Sequence, residues 1–277
     1  MSGKLYVVGT PIGNLGDFSP RAVETLEKAD FIAAEDTRVT VKLLNHFGIK
    51  KEMLSYYEHN KNSKGNLIIE RMLKGESCAL VSDAGMPAIS DPGEDLVRKS
   101  RENGIEIESV PGPSALITAL SISGMPSGRF CFEGFLSMNK ISRREHLDSL
   151  KNEKRTMIFY EAPHKLMATL NDFLKYFGDR EIAIVRELTK IHETVFKTTL
   201  SGAIGYYTEN APKGEFVIII NGKSDEVKEY TLEDAVEIAK RLISEGQSTS
   251  FAAKEASAVT GIKKGEIYKN DIRVMRC

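Results

Sequence analysis

Short apolar runs alternate with segments of helical periodicity through the first half of the chain. The runs KLYVV, FIAA, CALVS and IEIESV are each followed by a stretch with helical spacing of apolar residues. Helices are predicted over 20–28, 38–47, 93–103 and 114–123. This alternation of strand and helix is typical of a parallel sheet that is covered by helices.

The second half begins after a turn-rich stretch, GMPSGR at 124–129. Its runs EIAIVREL and ETVFKTTL follow each other without a helix between them, which predicts an antiparallel pair within a mixed sheet. Further helices are predicted at 142–152, 164–176 and 201–209 and, after the polar stretch NGKSDEVKEY, at 231–244, 248–258 and 263–269.

Together these patterns predict an α/β protein of three parts. The parts are an N-terminal α/β domain with a parallel sheet over 1–123, a C-terminal α/β domain with a mixed sheet over 124–226, and a small helical tail domain over 227–277. The length of 277 residues agrees with more than one domain, because a typical domain has about 100–200 residues.

The composition limits the class of partner. With 41% hydrophobic and 28% charged residues, the chain is typical of a soluble globular protein. The formal net charge of −1 excludes attraction of nucleic acid by overall charge, so an RNA partner requires a local basic patch. The first apolar run is too short for a signal peptide or a membrane span, and we expect no membrane association.

The cysteines indicate a reducing compartment. Cys78, Cys131 and Cys277 are widely spaced and form no C-x-x-C pair, which disfavours both a disulfide framework and a structural zinc site. The sequence also lacks an H-E-x-x-H motif and any Cys/His cluster, so we expect no metal. These features predict a cytoplasmic protein.

Ligands of open parallel sheets bind at the carboxyl ends of the strands, so the loops there are the candidate site. The first loop, GTPIGNLGD at 9–17, allows the backbone to approach a ligand closely, but it matches neither G-x-G-x-x-G nor a Walker A loop. An ordinary glycine-rich turn explains it equally well. The second loop, AAEDTR at 33–38, clusters Glu35, Asp36 and Arg38, and a capped helix start is its alternative interpretation.

The third loop contains SDAGMPAISDPG at 82–93. Asp91, Pro92 and Glu94 predict a capping box at the start of the next helix. Capping does not account for Asp83, which lies at the strand exit among small residues that leave room for a flat ligand. Asp83 is therefore the leading candidate for a cofactor contact.

The fourth loop, VPGPSAL at 110–116, offers backbone N–H groups near Ser114 that can bind a carboxylate, although a well-formed helix start is the alternative. In the second half, FYEAPHKL and VRELTKIHE follow apolar strands and place polar side chains near one edge: Tyr160, Glu161, His164, Lys165, Glu187 and Lys190. Each is also explained as a solvated loop residue, and a histidine such as His164 is more often structural than catalytic.

These loops belong to a longer set of motifs with a characteristic order and spacing. LYVVGTPIGNLGD, AAEDTR, LVSDAGMPAISDPG, VPGPSAL, FEGFL, FYEAPHKL and RELTK closely resemble the ribosomal RNA small subunit methyltransferase I family of the tetrapyrrole methylase superfamily, over roughly residues 4–222. The resemblance implies a class III methyltransferase fold, with two α/β domains and S-adenosylmethionine in the cleft between them. It also implies 2′-O-methylation of a cytidine ribose in the decoding region of 16S rRNA, within the 30S subunit, by a homodimer.

The resemblance also implies which residues bind the cofactor. They are Pro11, Ile12 and Gly13 in the first loop; Asp83, Ala84, Gly85 and Met86 in the third; Ser114 and Ala115 in the fourth; and Tyr160 and Leu188 at strand ends in the second half. The family usually has threonine at the position of Met86. Methionine has no hydroxyl, so we expect no hydroxyl contact there, while the shape of the loop should persist.

Methyl transfer from a sulfonium is an in-line displacement that needs no metal, so alignment and the exclusion of water should dominate. A neutral ribose hydroxyl is a poor nucleophile, and a nearby base or cation would assist it. The candidates are Glu35, Asp36, Arg38, Glu161, Lys165, Glu187 and Lys190, among which we favour Glu35, Asp36 and Lys190 as catalytic residues.

RNA contacts are predicted for a set of basic residues: Arg38, Lys140, Arg143, Arg144 and Lys165. The segment 137–155 has an excess of cations, and the tail has a similar excess, although solvated helix faces explain both equally well. Two other functions stay open. One is a methyltransferase that acts on a small tetrapyrrole-like metabolite, and the other is a non-catalytic RNA-binding protein that senses the cofactor.

Overall fold

The computed structural model describes residues 3–224 and 230–269. The chain forms two compact units, residues 1–223 and residues 224–277. Cys277 and the predicted start of the tail domain at residue 227 lie outside the described residues. In the described part, no helix combines the length and the apolar character needed to cross a membrane.

The first sheet lies in the N-terminal half of the first unit and is parallel throughout. Its strands are β1 (Lys4–Val8), β2 (Phe31–Ala34), β3 (Glu52–Ser55), β4 (Cys78–Val81) and β5 (Glu106–Val110). Their order across the sheet is β3-β2-β4-β1-β5. The central strands β2 and β4 are fully buried, which explains their continuous apolar sequences FIAA and CALV.

Helices cover both faces of this sheet: α1 (Pro20–Lys28), α2 (Thr37–His46), α3 (Lys61–Leu73) and α4 (Gly93–Glu102). Alternate residues of β2 point to opposite faces, so Phe31 packs with α3 and α4, and Ile32 packs with α1 and α2. The predicted parallel, helix-covered sheet is therefore confirmed. β3 and α3 were not predicted from the sequence, because β3 is a short edge strand and α3 contains Gly65 among polar residues.

The second sheet lies in the C-terminal half of the first unit and is mixed. Its strands are β6 (Phe130–Gly134), β7 (Thr156–Glu161), β8 (Glu181–Arg186), β9 (Thr194–Thr199) and β10 (Phe216–Ile220), in the order β6-β7-β10-β8-β9. β8 and β9 form an antiparallel pair, which confirms the prediction from their adjacent apolar runs. β7 and β8 are both antiparallel to β10, so their carboxyl ends lie at one edge.

One face of the second sheet packs against α6 (Lys140–Ser149), α7 (Leu166–Phe177) and α8 (Leu200–Glu209). Its other face packs against α5 (Ala115–Ser123), whose Leu116 and Leu120 belong to one apolar cluster with the strand residues Val185 and Val217. Ile12, from the loop after β1, joins the same apolar cluster. A helix and a loop that follow strands of the first sheet therefore form part of the core of the second.

The second unit contains α9 (Leu232–Ser244), α10 (Thr249–Thr260) and α11 (Lys264–Lys269), which pack around small buried side chains such as Ala239 and Ala253. Thr231 and Asp234 form a capping box at the start of α9. Gly261 ends α10 with φ of 73°, a left-handed conformation that glycine adopts readily. The predicted tail is helical in its described residues, and the boundaries of the three-domain division stay a prediction.

Candidate active site

A pocket of about 600 Å³ lies between the carboxyl ends of the first sheet's strands and the second sheet. It brings together many of the residues that were predicted to contact the cofactor: Ile12, Asp83, Ala84, Gly85, Met86, Ser114, Ala115, Tyr160 and Leu188. Glu35, a predicted catalytic residue, also lines it, whereas Pro11 and Gly13 flank Ile12 without lining the pocket.

Thr10 fixes the loops after β1 and β4 against each other. Its backbone exchanges two hydrogen bonds with Gly85, at 2.9 and 3.1 Å, and its hydroxyl donates to the carbonyl oxygens of Ser82 and Gly85. Thr10 is 2% exposed, so these bonds satisfy a buried polar group and hold the pocket wall in place. This role of Thr10 was not predicted from the sequence.

The loops after β1 and β5 approach so closely that only glycine fits. A Cβ atom on Gly9 would lie 2.7 Å from Gly112 Cα, and one on Gly112 would lie 2.9 Å from the backbone of Gly9. The Met86 sulfur accepts a hydrogen bond from the Gly112 N–H at 3.3 Å. The loop after β4 is therefore joined to the loop after β5 through the Met86 sulfur.

Glu35 and Asp83 form an acidic pair on one wall of the pocket. The Glu35 carboxylate accepts a weak hydrogen bond from the Asp83 N–H at 3.4 Å. Burial raises the pKa of Glu35, and the negative charges of Asp83 and Asp91 act in the same direction. Partial loss of hydration likewise raises the pKa of Asp83, although the N–H of Asp36 donates to its carboxylate at 3.0 Å.

Asp36 occupies a different environment from its neighbour Glu35. Its carboxylate caps α2 by accepting the Arg38 N–H at 2.8 Å, and it binds the Arg38 guanidinium through both oxygens. These hydrogen bonds lower the pKa of Asp36 to about 2. The predicted helix cap is confirmed, and Asp36 does not line the pocket.

The loop between β4 and α4 is held by Asp91. Its carboxylate accepts the N–H groups of Gly93 at 2.7 Å, Ala88 at 3.0 Å and Ile89 at 3.3 Å. α4 begins at Gly93, and its N-cap residue Pro92 makes no side-chain capping bond, so the predicted capping box with Glu94 is wrong. The Asp91 carboxylate therefore stabilises both the loop and the start of α4.

Tyr160 connects the two halves of the pocket. Its hydroxyl accepts the Leu116 N–H at 3.0 Å, in the first turn of α5, where Ser114 provides no side-chain cap. Burial raises the pKa of Tyr160. Tyr160, a residue of β7, therefore accepts a hydrogen bond from a backbone N–H in the first turn of α5, which follows a strand of the first sheet.

Lys190 lies beside the pocket and not on its surface. Its ammonium group contacts the carboxylates of Glu187 and Glu215, each at 3.0 Å, and its side chain packs against Gly13. These two carboxylates raise the pKa of Lys190 against the opposing effect of burial, so the side chain stays charged. Glu215, which lines the pocket, was not identified in the sequence analysis.

The predicted RNA contacts differ in their exposure. Arg38 and Arg144 have side chains that are 88% and 75% exposed, Lys140 is exposed and Lys165 is half-buried. The side chain of Arg143 is 16% exposed and binds Asp172 at 2.7 Å and Thr169 at 2.9 Å. Thr169 in turn donates to the buried Glu161, so Arg143 and Glu161 belong to one internal network.

Within residues 3–224 and 230–269, no group of three or more His, Cys, Asp or Glu side chains is placed to hold a metal ion.

The profile of the Tetrapyrrole (Corrin/Porphyrin) Methylases matches residues 4–204. The chain is 46% identical over 269 residues to "Ribosomal RNA small subunit methyltransferase I" of Synechocystis sp., covering 96% of each protein. It is 49% identical over 274 residues to the protein of the same name in Xylella fastidiosa, covering 96% of this chain and 98% of that one. The chain belongs to the ribosomal RNA small subunit methyltransferase I family.

Another member of this family, from Thermotoga maritima, is 48% identical over 221 residues, which cover 80% of this chain and 99% of that protein. Among solved structures, diphthine synthase superposes with a TM-score of 0.61 at 14% identity, covering 80% of this chain and 91% of that chain. This likeness shows a shared fold and carries no information on the substrate.

Proposed function

We propose that the protein transfers a methyl group from S-adenosylmethionine to the 2′-hydroxyl of a cytidine ribose in the decoding region of 16S rRNA. The observation that supports this most strongly is the pocket between the two sheets, which is lined by Asp83, Met86, Ala115, Tyr160 and Leu188. The relatives' names add the class of substrate, because they describe methylation of small-subunit ribosomal RNA.

The chemistry of the pocket fits S-adenosylmethionine. Its volume of about 600 Å³ lies in the range of small-molecule sites, and its surface combines apolar side chains with a few polar groups. Ile12, Leu188 and Val217 offer apolar contacts for a purine ring. Asp83 offers carboxylate oxygens for ribose hydroxyls, and the Ala115 N–H at the amino end of α5, beside the Leu116 N–H that Tyr160 accepts, can bind a carboxylate.

The bound cofactor would supply an electrophilic methyl group on a sulfonium. Glu35 is the candidate that can take the proton from the attacking hydroxyl, because it lines the pocket and its pKa is raised. The Asp36 carboxylate is bound to Arg38, and Lys190, which does not line the pocket, is bound to the carboxylates of Glu187 and Glu215. We therefore propose Glu35 as the base, with Asp36 and Lys190 fixing the loops around it.

We further propose that the RNA is contacted by four basic side chains, which are exposed or half-buried: Arg38, Lys140, Arg144 and Lys165. Arg143 is not among these RNA contacts, because its guanidinium is bound to Asp172 and Thr169. We also propose a homodimer in the cytoplasm that acts on the 30S subunit. Light scattering of the purified protein tests the dimer, with a mass near twice the 30.7 kDa of the chain as the expected result.

The test is transfer of labelled methyl from S-adenosylmethionine to 30S subunits or to 16S rRNA alone. After digestion to nucleosides, the proposal expects the label in 2′-O-methylcytidine, and a Glu35→Gln variant serves as the inactive control. Label on a base contradicts the ribose assignment. Cofactor binding without transfer to either RNA supports the non-catalytic alternative.

A further inference from the structure

Two large apolar side chains stand exposed at the mouth of the pocket. Ile89 is 48% exposed and Phe135 is 57% exposed, and both line the cavity. Single exposed apolar residues are common on protein surfaces and need no explanation. These two side chains are unusual because they lie in loops that follow strands of different sheets and yet line the same cavity.

The backbone is constrained so that Ile89 points outward from its loop. Its neighbours Ala88 and Ser90 have φ of 67° and 65°, in the left-handed region that residues with side chains rarely adopt. The Asp91 carboxylate accepts the N–H groups of Ala88 and Ile89 and so holds this geometry. Unfavourable backbone conformations that are held in this way cluster at ligand contacts.

Phe135 is presented from the facing loop. It follows Gly134, which has φ of 64° and lies at a register shift where β6 leaves β7. Its ring centroid is 5.5 Å from that of Tyr160 at an interplanar angle of 60°, so Tyr160 supports the ring from the side. The Ser90 hydroxyl lies 3.2 Å from the position of a Cβ on Gly134, which places the two loops in contact beside Ile89 and Phe135.

We infer that Ile89 and Phe135 form a slot that holds the target nucleobase of the RNA substrate, turned out of its stack, while its ribose reaches Glu35. This inference rests on the proposed function and adds a site for the base. A nucleotide that leaves its stack can bring its ribose into a closed pocket, and unpaired bases stack on exposed aromatic rings.

The charges around the cavity support this occupant. Glu35, Asp83 and Asp91 line the pocket, and their carboxylates repel phosphate groups. The uncharged base and sugar can enter, whereas the phosphodiester backbone must stay outside, where Arg38 and Lys140 are exposed. Ile89 and Phe135 would pack against the two faces of the base, because an aliphatic side chain and an aromatic ring both suit a flat, uncharged ring system.

The test compares Phe135→Ala with Phe135→Tyr, which keeps the ring, and with Met138→Ala as a matched control. Met138 is 72% exposed, lies three residues further along the same loop and does not line the pocket. The readouts are kcat and KM for 30S subunits or 16S rRNA, the Kd of S-adenosylhomocysteine by calorimetry, and the mass by light scattering.

Loss of one stacked base should raise the KM of Phe135→Ala for RNA about 10-fold. Phe135→Tyr and Met138→Ala should keep the KM of the unaltered protein, and all variants should keep its affinity for S-adenosylhomocysteine. Three outcomes overturn the inference. They are an unchanged KM in Phe135→Ala, a parallel loss of S-adenosylhomocysteine affinity, which assigns the ring to the cofactor, and a change of mass, which assigns it to a second copy of the chain.

Failure of the proposed function gives a different result. In that case the unaltered protein transfers no methyl group to RNA, and the comparison of variants has no activity to modify. The two failures are therefore distinguished before any variant is measured.

Discussion

Glu35 and Asp36 are adjacent in the sequence, yet the fold gives their carboxyl groups opposite properties. Burial in the pocket raises the pKa of Glu35, whereas Arg38 lowers the pKa of Asp36 to about 2. A base must lose its proton near working pH and must also reach the substrate. Glu35 lines the pocket and its pKa is shifted upward, whereas Asp36 lies outside the pocket and organises the start of α2 and the exposed Arg38.

The raised pKa of Glu35 gives a prediction for the pH dependence of methyl transfer. As pH falls through this pKa, the carboxylate takes up a proton and can no longer accept one from the ribose hydroxyl. The acid limb of the kcat profile should therefore lie above pH 4.5, the ordinary pKa of a glutamate. Stopped-time assays across pH, with a substrate shown to be intact, measure this limb.

Replacing the base should separate chemistry from binding. Glu35→Gln should lower kcat by about 100-fold or more, the usual contribution of a general base, and should keep the affinity for S-adenosylhomocysteine. Glu70→Gln is the control, because Glu70 is an exposed residue of α3 that does not line the pocket. Equal kcat values for the two variants would contradict the assignment of Glu35.

Asp83 is expected to bind the cofactor directly. Asp83→Ala should raise the Kd of S-adenosylhomocysteine by about 10-fold or more, because a hydrogen bond to a charged group contributes about 1.5–3 kcal/mol. Calorimetry measures the Kd. Asp83→Asn keeps an acceptor for the Asp36 N–H, so weak binding by both variants indicates a contact of the carboxylate itself. Unchanged affinity in Asp83→Ala would remove Asp83 from the site.

At the residue scale, the sequence predicted the parts of the site that lie directly at strand exits. Asp83 could be identified because helix capping does not explain it, and Tyr160 because it ends an apolar strand. Thr10 could not be identified, since its partner Gly85 is 75 positions away and the bond exists only in the folded chain. The role proposed for Phe135 depends in the same way on a loop from the other sheet.

At the element scale, α5 shows the limit of periodicity as a guide to packing. The helix was predicted at 114–123 and is found at Ala115–Ser123. Its sequence ALITALSIS is apolar on more than one face, so the pattern does not say which sheet it covers. The structure packs it on the second sheet, although it follows a strand of the first.

This packing predicts unequal effects of two substitutions within α5. Leu120 is 5% exposed and lies in the core of the second sheet, so Leu120→Ala should lower the free energy of unfolding by about 2–5 kcal/mol. Ile122 is 42% exposed, and Ile122→Ala should change it by about 0.5 kcal/mol or less. Urea denaturation measures both, and similar losses would contradict the packing of α5.

At the scale of the whole molecule, the described residues that line the pocket all lie within residues 1–223. The relative from Thermotoga maritima is matched over 99% of its length by 80% of this chain, a share close to this first unit. The pocket is therefore formed by the two sheets of the first unit, which are joined through the packing of α5 and Ile12 on the second sheet. Strand patterns predicted both sheets, whereas their joining depends on contacts between distant segments.

The crystal structure of the protein with S-adenosylhomocysteine tests most directly whether this pocket is the cofactor site. The account predicts the nucleoside between the two sheets, with ribose hydroxyls about 3 Å from the Asp83 carboxylate and the purine against Leu188. A cofactor bound at another surface, or a pocket that stays empty at a saturating concentration of the compound, would contradict it.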